Sequence, residues 1–358
     1  MKKIAFLVYD YSLTGGAERV VLNLTNELCK TYEVHIISLF NKLEVKKNEN
    51  IIYHSLVDKT VAIPTHIFSL SSKLRKYVKN NKIEILFAIT AGVNSVAYYG
   101  LKHIPCKFIY CEHSNILNQT YGKKHFKRQS LGAKKADKVI TLTKQDKEAF
   151  INKFNIDESR IDYIYNWFEP NINTTIKDKL GKHIISVGRL EKVKGYDNLI
   201  KVAKKVFLSH PDWKWDIYGD GTQKDIIQQE IISEGLTNFI TLKGNCDLKS
   251  IYAKYDIFVM TSYYEGLPVS MLEAIGAHLP VVSFDCPTGP REIIDNNENG
   301  YLVDCYDVNK LADAVNSLID DNDKRNEFSK KADKNLGKFS KPMILQKWID
   351  LIEGKDEK

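Results

Sequence analysis

The sequence predicts an α/β protein with two doubly wound domains that face each other across a cleft. Short apolar runs alternate with helical stretches, which is the pattern of parallel sheets covered by helices on both faces. The alternation starts anew in the second half of the chain. The 358 residues are 43% hydrophobic and 27% charged, the balance of a globular protein with room for two domain cores.

The two halves open alike, with a strand, a glycine-containing loop and a helix. The first helix is expected over Ala17–Cys29, where apolar residues recur at helical spacing. Strands of the first half are expected at Ile4–Tyr9, Glu33–Leu39, Ile83–Ile89, Lys107–Cys111, Lys138–Leu142 and Ile161–Tyr165. Strands of the second half are expected at His183–Val187, Lys214–Tyr218, Phe239–Leu242, Ile257–Met260, Pro280–Phe284 and Tyr301–Val303.

A polar segment separates the halves at residues 170–182, where Pro and Gly occur without apolar periodicity, as is typical of a linker. We therefore expect a first domain of residues 1–170, a second of 171–340 and a C-terminal helix within 341–358. Ligands of doubly wound sheets bind beyond the carboxyl ends of the strands, so both domains should direct their sites into the cleft.

The sequence predicts neither a membrane-spanning nor a secreted chain. Asp10 interrupts the N-terminal apolar run and no small-residue cleavage site follows, unlike in a signal peptide. No apolar stretch approaches the ~20 residues that a bilayer requires. The six cysteines form no CxxC pair and no zinc-finger spacing, which indicates a reducing compartment. We expect a cytoplasmic protein.

The segment after the predicted strand Ile257–Met260 has the pattern of an anion site at a helix start. Pro268 suits the first helical position, and Gly266 lets the backbone approach a ligand closely. The helix dipole and the free N–H groups of the first turn favour a diphosphate. Those N–H groups are expected on Leu267, Val269 and Ser270.

Two carboxylates flank this anion site. Glu265 precedes the helix and Glu273 lies within it, more than one turn on. Carboxylates repel a phosphate but accept hydrogen bonds from hydroxyl groups, so they suit the hydroxyls of a sugar and a ribose. A capped surface helix with incidental glutamates is the alternative.

Two cations follow the predicted strand His183–Val187. Arg189 can grip a diphosphate in bidentate fashion, and Lys194 can act as a point charge beside it. A solvated basic loop is the alternative for this segment. Near the N-terminus, Gly15 and Gly16 follow the first strand, yet the loop matches neither GxGxxG nor GxxxxGK[ST], and a tight strand–helix turn would also explain it.

The run EGLPVSMLEAIGAHLPVVS at 265–283 resembles the signature of glycosyltransferase family 4, retaining enzymes of the GT-B fold with two Rossmann-like domains. The resemblance covers essentially the whole chain. It continues in GGAERVVLNL, EHSN, SVGRLEKVKGYDNLI and YGDGTQKDII. The segment CPTGPREII at 286–294 looks like bacterial surface-polysaccharide and lipopolysaccharide transferases.

The resemblance implies a role for each candidate residue. Arg189 and Lys194 would neutralise the departing nucleoside diphosphate. The amides of Gly15 and Gly16 would approach the donor diphosphate, and His113 would lie near the reacting sugar. Weaker candidates for the cleft are Asn166, after the strand Ile161–Tyr165, and Glu292, which would equally cap the next helix. The helix near Lys341–Gly354 would pack on the first domain.

The resemblance also implies a reaction. A hexosyl unit would pass with retention from a nucleotide diphosphate sugar, a UDP-sugar being favoured, to a saccharide or lipid-linked saccharide acceptor in cell-surface polysaccharide synthesis. We expect no cofactor and no metal ion. Asp321-Asn322-Asp323 matches the Asp-x-Asp metal pattern, but it lies in a charged connector between helices and is interpreted as a solvated turn.

Positive charge is unevenly spread along this chain of net charge +7. With Tyr121 and Phe126 interleaved, a basic stretch of the first domain would suit anionic lipid at the inner membrane face. A solvated lysine-rich surface is the alternative, and no nucleic-acid-binding motif accompanies the charge. The two basic stretches comprise Lys73, Arg75, Lys76, Lys79 and Lys82, and Lys123, Lys124, Lys127, Arg128, Lys134, Lys135 and Lys138.

Two other functions remain open on the sequence. A nucleotide-sugar epimerase on a similar scaffold would use acid and base residues opposite the nucleotide half, and would give an epimer. A non-catalytic nucleotide-sugar-binding protein would bind the donor without turnover. The pairing of a basic loop with the Glu-Gly-Leu-Pro segment favours the transferase over both.

Overall fold

The computed structural model describes residues 1–10, 16–40, 48–117, 122–168, 181–246 and 251–355. Of the expected linker at 170–182, only the last two residues lie within these ranges. The chain divides into two compact units. The first comprises Met1–Tyr165 together with Leu345–Lys358, and the second comprises Asn166–Ile344.

The first unit is a parallel α/β sheet. Its strands are β1 Lys3–Asp10, β2 Glu33–Phe40, β3 Ile51–Val57, β4 Ile85–Ile89, β5 Lys107–Cys111, β6 Lys138–Thr141 and β7 Ile161–Tyr163. Its helices are α1 Gly16–Leu28, α2 Ile63–Asn81, α3 Asn94–Leu101, α4 Lys123–Lys135 and α5 Lys144–Phe154. The strands are ordered β3-β2-β1-β4-β5-β6-β7, and every pairing is parallel.

The order of the strands decides where the helices lie. In the sheet, β2 and β3 lie on one side of β1, and β4 to β7 lie on its other side. Because crossovers between parallel strands are right-handed, α1 covers one face of the sheet and α2 to α5 cover the other. In agreement, α2 packs against α3, α3 against α4, and α4 against α5.

Strand β3 was not expected from the sequence. It pairs with β2 at the edge of the sheet, with Val34 opposite Ile51. Only Ile51 and Leu56 of its seven residues are buried, so the strand lacks the continuous apolar run that marks the central strands. The apolar-run criterion therefore finds the interior strands of this sheet and misses its half-exposed edge.

The second unit repeats the architecture. Its strands are β8 His183–Val187, β9 Lys214–Tyr218, β10 Ile240–Gly244, β11 Ile257–Met260, β12 Val281–Phe284 and β13 Gly300–Val303. Its helices are α6 Tyr196–Ser209, α7 Lys224–Ser233, α8 Val269–Gly276, α9 Pro290–Ile293, α10 Val308–Asp320 and α11 Asn322–Lys331. The strands are ordered β10-β9-β8-β11-β12-β13, again all parallel.

Strands β8 and β11 are neighbours at the point where the strand order of the second sheet reverses. Ile184 pairs with Ile257 across them. Loops that leave two such strands diverge to opposite faces of a sheet, and the crevice between them is where doubly wound folds bind ligands. Topology thus brings together the loop after β8, which carries Arg189 and Lys194, and the loop after β11, which carries Glu265, Gly266 and Leu267.

The Asp-x-Asp segment is a helix cap in the structure. Helix α10 ends at Asp320 and α11 begins at Asn322, with Asp321 between them. The Asp321 carboxylate accepts a hydrogen bond from the backbone N–H of Lys324 at 2.8 Å. Asp321 joins the two helices as predicted, whereas Asn322 and Asp323 are the first two residues of α11, so the prediction of a solvated turn is correct for Asp321 alone.

The last helix, α12, spans Lys341–Glu353, and its residues from Leu345 onward belong to the first unit. The Trp348 ring meets the Phe87 ring edge to face, with centroids 5.7 Å apart. Glu353 accepts a hydrogen bond from the Tyr32 hydroxyl at 2.9 Å. In the described ranges of the chain, no helix combines the length and the apolarity needed to cross a membrane.

Candidate functional site

Gly195 lets the loop after β8 lie against the loop after β11. Its φ is +65°, and a Cβ atom there would lie 2.1 Å from the carbonyl oxygen of Thr261. Both the left-handed backbone and the lack of space require glycine. Two further contacts join the loops. The Thr261 hydroxyl donates to the Gly195 carbonyl at 2.9 Å, and Tyr263 N–H donates to the Val193 carbonyl at 2.8 Å.

An ion pair forms where these loops meet. Lys194 Nζ lies 2.6 Å from Glu265 Oε1, with side chains that are 20% and 8% exposed. Ser262 Oγ donates to the same carboxylate oxygen at 2.6 Å. The sequence predicted both charged residues for one site, with Lys194 on a diphosphate and Glu265 on sugar hydroxyls. It did not predict their direct contact or the contribution of Ser262.

The backbone of Glu265 is held by the loop after β12. Thr288 Oγ1 donates to the Glu265 carbonyl at 2.6 Å. Gly289 adopts a φ of +96°, and a Cβ atom there would lie 2.5 Å from the Gly266 carbonyl oxygen. Sequence reasoning assigned no role to Thr288. The Pro-Thr-Gly-Pro segment was a signal of a constrained turn, but nothing in it showed which loop it supports.

Helix α8 begins one residue later than expected. It starts at Val269, and Pro268 is its N-cap residue with φ −72° and ψ 98°, so the placement of Pro268 as the first helical residue is wrong. The Pro268 carbonyl accepts hydrogen bonds from Met271 and Leu272 N–H groups. The extended ψ of Pro268 turns the chain into the helix. The N–H groups of Val269 and Ser270, in the first turn, have no acceptor within the helix, as an anion site requires.

Glu273 lies on α8 and is half-buried. Its Oε2 accepts a hydrogen bond from the hydroxyl of Tyr252 at 3.0 Å. Tyr252 is 3% exposed, and burial together with the Glu273 charge raises the pKa of its phenol well above the ordinary value. Tyr252 therefore stays a hydrogen-bond donor at neutral pH and fixes the orientation of the carboxylate. Sequence reasoning missed Tyr252.

Arg189 shares the loop with Lys194, but its side chain is exposed. In the described part of the chain, no hydrogen bond or ion pair joins its guanidinium to the Lys194–Glu265 pair. Hydrogen bonds from Thr222 lower the pKa of nearby Glu191, and the charge of Arg189 lowers it further. Arg189 is thus an exposed cation on the predicted loop, where a ligand can reach it.

His113 lies in the first unit, two residues beyond β5, and is half-buried. Burial lowers its pKa to about 4, so its imidazole is neutral at physiological pH. The preceding residue, Glu112, is buried and accepts hydrogen bonds from Ser114 N–H at 2.9 Å, Ser114 Oγ at 2.7 Å and Gln129 Nε2 at 3.0 Å. The Tyr110 hydroxyl donates to it as well. This network holds the turn that carries His113.

The remaining candidate residues lie outside the two loops that carry the Lys194–Glu265 pair. Gly16 is the first residue of α1, and Gly15 lies outside the described residues. Asn166 is buried at the start of the second unit, and β7 ends at Tyr163 rather than at Tyr165 as expected. No hydrogen bond among the described residues links Asn166 to the Lys194–Glu265 pair. Glu292 lies within the four-residue helix α9.

The side chains that could bind a metal ion are scattered over the described residues. Within the described ranges, no three His, Cys, Asp or Glu side chains group closely enough to hold a metal ion. The six cysteines are all free thiols. The expectation that the reaction needs no metal ion or cofactor stays a prediction.

The fold and the family models identify a glycosyltransferase of the GT-B fold. Two family models match the chain, Glycosyltransferase Family 4 over residues 14–171 and Glycosyl transferases group 1 over residues 169–335. Side by side, they cover both α/β units. The chain belongs to glycosyltransferase family 4, which favours the transferase over the epimerase and the non-catalytic binding protein.

The chain is similar along its length to bacterial glycosyltransferases. It is 28% identical to an uncharacterized glycosyltransferase of Haemophilus influenzae and 29% identical to the amylovoran biosynthesis glycosyltransferase AmsD of Erwinia amylovora, each over 98% of this chain and 100% of the relative. It is 26% identical, over 99% of this chain and 100% of the relative, to an N-acetylgalactosamine-N,N'-diacetylbacillosaminyl-diphospho-undecaprenol 4-alpha-N-acetylgalactosaminyltransferase of Campylobacter jejuni.

The fold has a close match among solved structures. Anabaena Alr3699/HepE, crystallised with UDP and glucose, superimposes with a TM-score of 0.82 at 19% identity, over 99% of this chain and 100% of that one. At this level of identity, the likeness shows the fold.

Proposed function

We propose that this glycosyltransferase is a retaining enzyme that moves a hexosyl unit from a nucleotide diphosphate sugar to a saccharide or lipid-linked saccharide acceptor in cell-surface polysaccharide synthesis. A UDP-sugar is the favoured donor, and neither metal nor cofactor takes part. The enzyme would work in the cytoplasm, with peripheral association at the inner membrane face. The observation that carries the proposal is the Lys194–Glu265 ion pair at the start of α8, where the order of the second sheet reverses.

Three comparisons support this choice of substrates. AmsD is named for the biosynthesis of amylovoran, and the Campylobacter relative is named for a diphospho-undecaprenol acceptor. HepE was crystallised with UDP and glucose. The names of the two relatives thus support a polysaccharide product and a lipid-linked acceptor, and the structural neighbour supports a uridine nucleotide.

The charges around α8 suit a diphosphate group that leaves the donor sugar. The N–H groups of Val269 and Ser270 and the positive end of the helix dipole would meet the phosphate oxygens. An ammonium group has three donors, so Lys194 could keep its bond to Glu265 while it donates to the diphosphate. The exposed guanidinium of Arg189 would add a second cation. Each preorganised donor of this kind is worth about 2.7–4 kcal/mol in a transition state.

The reaction follows from where charge develops. As the bond between the anomeric carbon and the diphosphate oxygen lengthens, the sugar acquires oxocarbenium character and the diphosphate gains negative charge. Lys194, Arg189 and the α8 amides stabilise that negative charge. The acceptor hydroxyl attacks the anomeric carbon from the face that the diphosphate leaves, and its proton passes to the departing phosphate oxygen. The new bond therefore keeps the anomeric configuration.

The remaining site residues would bind and orient the donor. Glu273, held by Tyr252, would accept hydrogen bonds from the ribose, and Glu265 would accept them from the sugar. His113 is neutral, so it would act on the sugar as a hydrogen-bonding group and not as a cation. Gly15, Gly16, Gly266 and Leu267 would offer backbone amides, and Asn166 stays a weaker candidate.

The experiment uses the full chain and has two stages. Thermal shift with a panel of nucleotide sugars identifies the donor, because a ligand of the folded state raises Tm. Release of nucleoside diphosphate is then measured with and without a lipid-linked or saccharide acceptor, and NMR of the product reads the anomeric configuration. Acceptor-dependent release with retention is expected. An epimerised donor, or binding without release, would contradict the transferase.

A further inference from the structure

Three adjacent helices of the first unit form a surface without acidic residues. Helices α2, α3 and α4, here called the three-helix face, pack side by side on one face of the sheet. They carry ten Lys and Arg residues, four on α2 and six on α4, and no Asp or Glu. The whole chain has a net charge of only +7. In the described part of the chain, none of these ten cations forms an ion pair. The three-helix face therefore carries a strong positive charge that no acidic residue of these helices neutralises.

Exposed aromatic rings lie on the same face. Phe68 of α2 is 78% exposed, and Tyr99 of α3 is 40% exposed. Their ring centroids are 6.3 Å apart, and the ring of Tyr98 lies 5.1 Å from that of Tyr99. Lys135 Nζ of α4 lies 5.8 Å from the centroid of Tyr98. The aromatic cluster Phe68–Tyr98–Tyr99 thus runs from α2 towards the lysines of α4.

The helices that carry this cluster are fixed to one another. Arg75 of α2 donates from Nη2 to the Tyr99 carbonyl at 2.7 Å and from Nε to the Gly100 carbonyl at 3.2 Å. A Cβ atom on Gly132 of α4 would lie 2.2 Å from the side-chain nitrogen of Asn94 of α3, so these two helices are in close contact. The rings and the lysines therefore keep their mutual arrangement.

The sequence predicted Tyr121 and Phe126 as the aromatic residues of a basic membrane-binding stretch, and the structure does not place Phe126 at the surface in that way. Phe126 is half-buried, with Lys153 Nζ 3.9 Å from its ring centroid. Lys138 is 5% exposed within β6, and Tyr121 lies outside the described residues. The rings that reach solvent are on α2 and α3, at positions that helical sequence patterns did not single out.

We propose that the three-helix face docks on an anionic lipid surface, with the exposed rings of Phe68 and Tyr99 entering the headgroup region and the lysines of α2 and α4 above the lipid phosphates. Each cation near an anionic membrane contributes about 1 kcal/mol, and aromatic rings prefer the interface. A soluble polyanion would match the charge but would leave the phenyl ring of Phe68 in water. The role of this docking, which is to keep the enzyme near a lipid-linked acceptor, rests on the proposed function. The docking itself does not.

The test is co-sedimentation of the full chain with vesicles of phosphatidylcholine alone or mixed with phosphatidylglycerol, at low and high salt. We expect salt-sensitive binding to the mixed vesicles only. Phe68→Ser should weaken it about tenfold. Lys134→Glu with Lys135→Glu should weaken it about a hundredfold, since two attractive charges become repulsive.

Matched controls lie on α6 of the second unit. Leu208→Ser removes an apolar side chain that is 80% exposed, and Lys201→Glu with Lys205→Glu reverses two exposed lysines. Both controls should bind vesicles like the unchanged chain.

Two outcomes would overturn the proposal. One is equal binding, or none, to both kinds of vesicle. Binding to heparin, a soluble polyanion, is measured in parallel for the same variants. The second contradicting outcome is that Phe68→Ser binds vesicles like the unchanged chain while the double lysine variant loses vesicle and heparin binding equally, which would assign the face to a soluble polyanion. Donor binding measured by thermal shift should be unaffected by Phe68→Ser, so failure here is distinguishable from failure of the proposed transferase.

Discussion

Lys194 Nζ lies 2.6 Å from Glu265 Oε1, and this ion pair links two loops that are 71 residues apart in sequence. Both side chains are largely removed from solvent, so the attraction between them offsets part of the cost of burying them, and Ser262 donates a hydrogen bond to the Glu265 carboxylate. A cation held in this way beside the first turn of α8 needs no reorganisation when negative charge develops on a leaving diphosphate.

Replacing Lys194 by Ala should therefore lower kcat by about a hundredfold or more, the usual loss for one preorganised donor. The measurement is steady-state release of nucleoside diphosphate with the donor and acceptor found in the ligand screen. Lys192→Ala is the matched control, because Lys192 is an exposed lysine of the same loop. Similar turnover of the two variants would remove Lys194 from the mechanism.

Tyr252→Phe should weaken donor binding by about threefold to tenfold, since the lost hydroxyl contributes a hydrogen bond of roughly 0.5–1.5 kcal/mol that orients Glu273. Because Tyr252 acts through Glu273 and not on the reacting atoms, kcat should change little. Isothermal titration of the donor and steady-state kinetics separate the two effects. Tyr301→Phe on β13 is the control, and a fall in kcat without a change in donor Kd would argue against the positioning role.

Most strands of this fold are predictable because they are buried on both faces and read as continuous apolar runs. The predicted bounds of β5, β8, β9 and β11 agree with the structure residue for residue. Edge strand β3 fails this test, because only Ile51 and Leu56 of its seven residues are buried and the strand carries no continuous apolar run. The first residue of a helix is harder to predict, and at Pro268 the prediction is wrong by one residue. A single ψ angle decides whether a residue caps a helix or begins it.

The candidate site is predictable in its parts but not in its contacts. A cationic loop after β8 and a carboxylate loop after β11 can be identified locally, and the doubly wound topology predicts that they meet. Which lysine reaches which glutamate depends on side-chain directions set by Gly195 and Thr261, far apart in sequence. The supporting hydroxyls of Ser262, Thr288 and Tyr252 come from common residue types that carry no sequence pattern of their own.

Gly195→Ala should destabilise the second unit and reduce activity together. The added Cβ would meet the Thr261 carbonyl oxygen at 2.1 Å, on a backbone with φ +65°. Left-handed strain alone costs about 1–2 kcal/mol, and the clash should add to it and displace Lys194. Urea unfolding and kcat are the measurements.

Gly235→Ala isolates the contribution of strain, since Gly235 has φ +70° and no atom within 4 Å of an added Cβ. We expect the Gly235 variant to lose only the strain energy and to keep full turnover. Equal destabilisation of the two variants would show that the loop at Thr261 moves away from the added Cβ atom without lowering the free energy of unfolding further.

Stability should fall as the pH is lowered from about 6.5 towards 4, in part because of His113. Burial lowers the folded-state pKa of His113 to about 4, below the ordinary value of 6.5, so the unfolded chain takes up the proton first. The stabilisation is complete above pH 6.5 and is lost as the pH falls through this window, by up to about 3 kcal/mol. Urea unfolding of the His113→Asn variant should therefore depend less on pH between 7.5 and 4.5 than that of the unchanged chain. Parallel pH profiles for the His113 variant and the unchanged chain would mean that its imidazole is protonated in the folded state as readily as in the unfolded one.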